Sequence, residues 1–148
     1  MSKLESLPLL ELSLSADPQS VPAARHRAMR ACTEAGLMDD DCFSLDLALG
    51  EALANAVTHG VCAQHGDSQV FVSLWGYNDR LIIQVRDRGS SFHPPPPPYP
   101  MPPALWETTH GRGLPLMQTL TDAMVVCRGD AHEGGASVYL VKKIVRRD

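Results

Sequence analysis

The chain has 148 residues, 44% of them hydrophobic and 20% charged, a balance that suits one globular domain and excludes wholesale disorder. Thirteen Lys and Arg against 17 Asp and Glu leave a net charge of −4, which excludes broad electrostatic binding to nucleic acid or anionic lipid. No apolar run approaches the roughly 18 residues of a membrane span, and residues 1–5 lack the basic and apolar regions of a secretory signal, so a cytoplasmic protein without direct nucleic-acid or membrane contact is expected.

Residues 7–16 read as a strand, with Leu10, Leu12 and Leu14 alternating against Glu11, Ser13 and Ser15. A helix follows from Ser20, which suits the cap, through Pro22 in the first turn to Gly36 at the far end. Val21, Ala24, Ala28, Ala31, Cys32 and Ala35 recur at helical spacing and predict its core face. Asp39, Asp40 and Asp41 favour the N-terminus of a second helix. It runs to about His59, with Leu45, Leu49, Ala52, Leu53 and Ala56 facing inward.

Residues 70–75 and 81–85 are rich in β-branched and aromatic side chains and read as strands, joined by a turn at Tyr77-Asn78-Asp79. Residues 94–98 are all proline, and Pro100, Pro102 and Pro103 follow. Proline lacks the amide donor, so no regular helix or central strand forms there. Too little chain remains on either side for two cores, so the segment at about 90–110 is expected to be a long lid loop within one domain, residues 1–148. A short helix near Pro115, carrying Leu116, Met117 and Leu120, a strand at 123–127, a turn-rich connection at 129–135 and a last strand at 137–145 complete the chain. The order predicts an α+β fold, a two-layer α/β sandwich with a mostly antiparallel sheet and helices on one face.

Cys32, Cys42, Cys62 and Cys127 are scattered, which reads as reduced thiols. His59, Cys62 and His65 offer three soft ligands. Structural zinc takes four ligands in spaced pairs, so ordinary side chains at a helix end are expected.

Three stretches carry chemistry. Glu51, Asn55 and His59 stand at i, i+4 and i+8, forming one polar row at the margin of the apolar helix face. Such a row offers a base, an oxygen ligand for a hard cation and an imidazole; it also suits a solvated helix face. Asp87, at a strand end before Arg88-Gly89, puts a fixed carboxylate at the mouth of a turn, able to accept a hydrogen bond from an exocyclic amine. Gly111-Arg112-Gly113-Leu114 opens a helix, where glycines admit phosphate oxygens and Arg112 adds a charged contact. No third glycine follows at the dinucleotide offset, and no Walker-type loop is present.

In this order the three stretches resemble the ATP-binding domain (Bergerat-type) shared by gyrase, Hsp90, histidine kinases and MutL. The wording Glu-Ala-Leu-Ala-Asn-Ala-Val-Thr-His-Gly at 51–60, Val-Arg-Asp-Arg-Gly-Ser-Ser-Phe at 85–92 and His-Gly-Arg-Gly-Leu-Pro-Leu-Met at 110–117 is most similar to the anti-sigma-factor serine protein kinases of the RsbW and SpoIIAB type. The resemblance spans residues 7–143.

It implies an ATP-dependent serine protein kinase that binds and inhibits a sigma factor and phosphorylates a serine on an anti-anti-sigma antagonist. A homodimer is implied on the same ground. By resemblance, Asn55 is the Mg²⁺-ligating asparagine, Glu51 the catalytic base toward the serine hydroxyl, and His59 the histidine closing that box. Asp87 is the adenine-reading aspartate, Gly89 lets the base approach, and Gly111, Arg112, Gly113 and Leu114 form the phosphate-side lid box. ATP and Mg²⁺ are the implied cofactors. The family usually has glycine and then an acidic residue around Phe92, where this chain has Ser91 and His93. It usually has Gly-Thr before the last strand, where this chain has Gly135-Ala136. The alternative is a nucleotide-binding module that sequesters its partner without turnover.

Overall fold

The computed structural model describes residues 7–59, 69–77, 79–87, 119–128 and 136–144. Five strands, β1 (Leu10–Ser15), β2 (Gln69–Tyr77), β3 (Arg80–Asp87), β4 (Ala123–Arg128) and β5 (Ala136–Lys143), pair into one sheet in the order β1-β2-β3-β5-β4. Every pairing is antiparallel. Two helices, α1 (Val21–Glu34) and α2 (Asp39–His59), complete the described elements. The expected α+β two-layer sandwich is what forms.

The sheet's two faces follow from period-2 alternation. Val70, Val72 and Leu74 of β2 and Leu81, Ile83 and Val85 of β3 are buried against the helices. The predicted inward residues of α2 are all buried, and Ala48 and Val57 join them. Leu45, Leu49 and Leu53 are fully buried, each contributing about 2 kcal/mol of transfer free energy. That total outweighs the roughly 1 kcal/mol that Gly50 costs an interior helix position.

Strand and helix ends shift by a few residues from the sequence reading. One cap is corrected. Residues 18–20 form a single 3-10 turn, and Asp17, not Ser20, accepts the capping hydrogen bond, from the Gln19 amide at 3.0 Å. Ser20 stands at the N-cap of α1 as expected, but with helical dihedrals and no side-chain capping bond. The Asp17 carboxylate, three residues before Ser20 where the chain is still extended, caps the preceding turn instead. Gly36 adopts φ +107°, which an L side chain resists, so it ends α1 as expected. Of the predicted helix near Pro115, only Thr119 and Leu120 are described, and both are helical; the rest lies outside the described residues, as does the connection at 129–135.

Arg25 ties α1 to α2 through two bonds to Asp46, Nε to Oδ1 at 2.9 Å and Nη2 to Oδ2 at 3.0 Å. Gly50 leaves room for this clamp: a Cβ there would stand 3.0 Å from Arg25 Cζ. Gly50→Ala therefore has opposing effects, a propensity gain of up to about 1 kcal/mol against displacement of the guanidinium. In an Arg25→Ala background only the gain remains. A double-mutant cycle by denaturant unfolding is expected to show coupling of about 0.5–1 kcal/mol; purely additive values would show that the guanidinium yields without cost.

Candidate active site

α2 carries the polar row on its flank. Ala52, Leu53, Ala56 and Val57 are buried, while Glu51 and Asn55, one turn apart, are half-buried. Side chains at this spacing have their Cβ atoms about 5–6 Å apart. A carboxylate and an amide are thus held one turn apart at the edge of the core. His59 is the last residue of α2, one further turn along.

Asp87 is the last residue of β3 and is 5% exposed, the single buried polar or charged side chain among the described residues. It sits opposite Val70 of β2 and on the same face as Leu81, Ile83 and Val85. Its carboxylate therefore faces the helix layer, and α2 packs on β3 in that layer. Withdrawing a carboxylate from water costs several kcal/mol unless polar groups meet it. Its position, at the end of β3 in line with Leu81, Ile83 and Val85, makes Asp87 a candidate contact for a hydrogen-bonding ligand edge.

The structure thus places Glu51, Asn55 and His59 on one helix, and Asp87 on the strand beneath that helix layer. Gly89, Gly111, Arg112, Gly113 and Leu114, the proline-rich lid at 90–110, Ser91 and His93, and the Cys62 and His65 neighbours of His59 lie outside the described residues.

The sequence reading missed Arg25. Its guanidinium is held above its usual pKa, first by the hydrogen bond to Asp46, with the charges of Asp46 and Glu51 adding and burial opposing. A permanent cation therefore stands on the α1 side of the polar row. The signal was Gly50: a glycine inside a helix marks close approach by another group. Cys32, buried between the helices and the sheet, has its thiol pushed up to about 12 by burial. It stays protonated and plays no nucleophilic part.

Chemically, the described set is one half-buried carboxylate, one amide oxygen and one buried carboxylate. Mg²⁺ binds through one or two protein oxygens and fills its remaining positions with water and phosphate. One half-buried asparagine fits that habit, and no dedicated cage is needed. A buried aspartate at a strand end fits the amino edge of a purine.

The chain is similar to known proteins in sequence and in fold. The sequence model of the histidine kinase-like ATPase domain matches residues 14–143. The serine-protein kinase RsbW of Bacillus pumilus is 33% identical over 131 residues, covering 82% of this chain and 80% of that protein. The serine-protein kinase RsbW of Bacillus licheniformis is 32% identical over 143 residues, covering 93% and 86%. In fold, the chain is similar to the crystal structure of the RsbU and RsbW domains of a Mycobacterium tuberculosis protein, with a TM-score of 0.66 at 19% identity. That likeness covers 91% of this chain and 31% of the longer one.

Proposed function

This chain belongs to the histidine kinase-like ATPase domain family, among the RsbW serine-protein kinases, and on that premise we propose how its own residues carry out the activity. It is an ATP-dependent protein serine kinase that acts as an anti-sigma factor. Its partners are a sigma factor, which it holds inactive, and an anti-anti-sigma protein, whose serine it phosphorylates. We assign it to the cytoplasm as a single domain and a homodimer; among the described residues no helix is long and apolar enough to cross a membrane.

The observation that carries the reading is the Glu51/Asn55 pair, one helical turn apart, with the buried Asp87 on the adjoining strand. When bound, Mg²⁺-ATP supplies the transferable phosphoryl group and neutralises the charge that develops on it. Asp87 accepts a hydrogen bond from the adenine amine and so sets the register of the nucleotide. The Asn55 amide oxygen holds the metal. Glu51 accepts the proton of the partner's serine hydroxyl and aligns that oxygen for in-line attack. His59 closes the row, Gly89 admits the base, and Gly111, Arg112, Gly113 and Leu114 meet the phosphates. A binding module without turnover would have no use for a base beside the metal ligand.

The test combines two measurements on the purified chain. A nucleotide at a hundred times its Kd stabilises the folded state by about 2.7 kcal/mol, which is about 5–10 °C in Tm for a chain of this size. Asp87→Ala is expected to abolish that shift. Transfer of labelled γ-phosphate to a serine of a purified anti-anti-sigma protein then reports the kinase. An unchanged melting curve at millimolar Mg²⁺-ATP sinks the nucleotide site. Tight binding without transfer selects the module without turnover.

A further inference from the structure

Beside the polar row, α2 leaves large apolar side chains in solvent. Phe43 is 67% exposed and Leu47 is 38% exposed. Phe43, Leu47 and Glu51 are spaced by four residues, so they follow one another along one slowly turning row. At 1.5 Å per residue, Leu47 precedes Glu51 by about 6 Å and Phe43 precedes it by about 12 Å. Asp39, Asp40 and Asp41 form the first turn of α2; Asp39 and Asp40 are exposed and rim the Phe43 end, while Asp41 pairs with Lys142 at 3.8 Å. Isolated apolar residues on a surface need no explanation. Two large apolar side chains one helical turn apart, with an acidic rim and leading to the residue assigned the serine proton, do.

We propose that Phe43 and Leu47 form the docking surface for the phosphoacceptor protein, a folded partner whose acceptor serine lies near an apolar side chain flanked by Lys or Arg. The inference rests on the kinase reading of Glu51 and names what that site's protein substrate must look like. Two features select this occupant. A body seated on Leu47 and Phe43 has its edge within about 6–12 Å of Glu51, the span over which a loop delivers a serine hydroxyl. A second copy of the chain is disfavoured by charge. An isologous contact through this strip would bring two aspartate rims together in a molecule already at −4.

The apolar strip supplies affinity and the rim supplies orientation, so the two halves separate experimentally. The small anti-anti-sigma proteins encoded in the same genome are purified and assayed with labelled ATP, and the one labelled fastest is the probe. Removing an anchor at the centre of an interface commonly weakens binding by about tenfold or more. Phe43→Ser with Leu47→Ser is therefore expected to raise KM for the probe at least about tenfold. Its kcat at saturating probe stays within about threefold, and its nucleotide affinity and melting temperature stay as in the unmodified chain. Asp39→Lys with Asp40→Lys raises KM as well, and that increase shrinks as salt is added. KM within about twofold of the original for both variants overturns the docking surface while leaving the kinase assignment standing. So does a fall in kcat with KM unchanged. If the unmodified chain binds ATP but labels none of these proteins, the kinase reading itself falls, and the docking surface with it.

Discussion

Glu51→Gln is expected to lower serine phosphorylation by about 10²–10⁴-fold, the contribution of a positioned acid or base, while nucleotide binding stays within about twofold. The glutamine keeps the shape and most of the hydrogen-bonding capacity of the half-buried side chain, so α2 is undisturbed. What it loses is the ability to take the hydroxyl proton as the serine oxygen attacks. The loss therefore falls on kcat, and partner capture persists. Paired assays of the same preparation, γ-phosphate transfer beside a nucleotide titration, check this. Transfer at the original rate would show that the proton goes elsewhere.

Asn55→Ala is expected to have a different signature, weakening Mg²⁺-nucleotide binding and losing phosphorylation with it. On the proposed reading one amide oxygen would be the described residues' contribution to the metal, so its removal would leave the cation to phosphate and water. Asn55 is half-buried, with Ala56 and Val57 behind it, and alanine has a higher helix propensity than asparagine. The fold should thus be as stable as before or slightly more so. Isothermal titration with and without Mg²⁺ separates the effects: the variant's affinity should become nearly insensitive to the metal. A metal dependence equal to that of the original chain would remove Asn55 from the site. Glu51→Gln leaves binding and loses turnover, whereas Asn55→Ala loses both; the contrast distinguishes a base from a ligand.

Most of this arrangement was legible in the sequence because its signals are local and periodic. The alternation at Leu10, Leu12 and Leu14 reports a half-buried strand, and the four-residue spacing of Glu51, Asn55 and His59 reports a helix row. Asp87 was placed at a strand end, where it is found; its 5% exposure was not legible, since the strand had been ended at Val85. Only the sheet register shows that residue 87 continues the buried alternation of Leu81, Ile83 and Val85. The Arg25–Asp46 clamp escaped for a related reason: the partners are 21 residues apart on separate helices, and no periodicity links them. The Asp17 cap was missed because serine at position 20 is an equally good capping residue by type. Which oxygen reaches the free amide depends on where the chain stops being extended.

The position of β5 between β3 and β4 has a consequence for how such a chain can change over generations. Arg86 pairs with Ser137 and Arg80 with Lys143, so the seam at the centre of the sheet joins chain on either side of the proline-rich segment. β3, which precedes that segment, and β4, which follows it, are each laddered to β5, whatever lies between. Closing a longer connection costs only about 0.6 kcal/mol for each doubling of its length. Insertions, deletions and runs of a single residue type are thus cheap there and expensive in either flanking strand. A sequence can drift into eight prolines between residues 94 and 103 without loosening the sheet that carries Asp87.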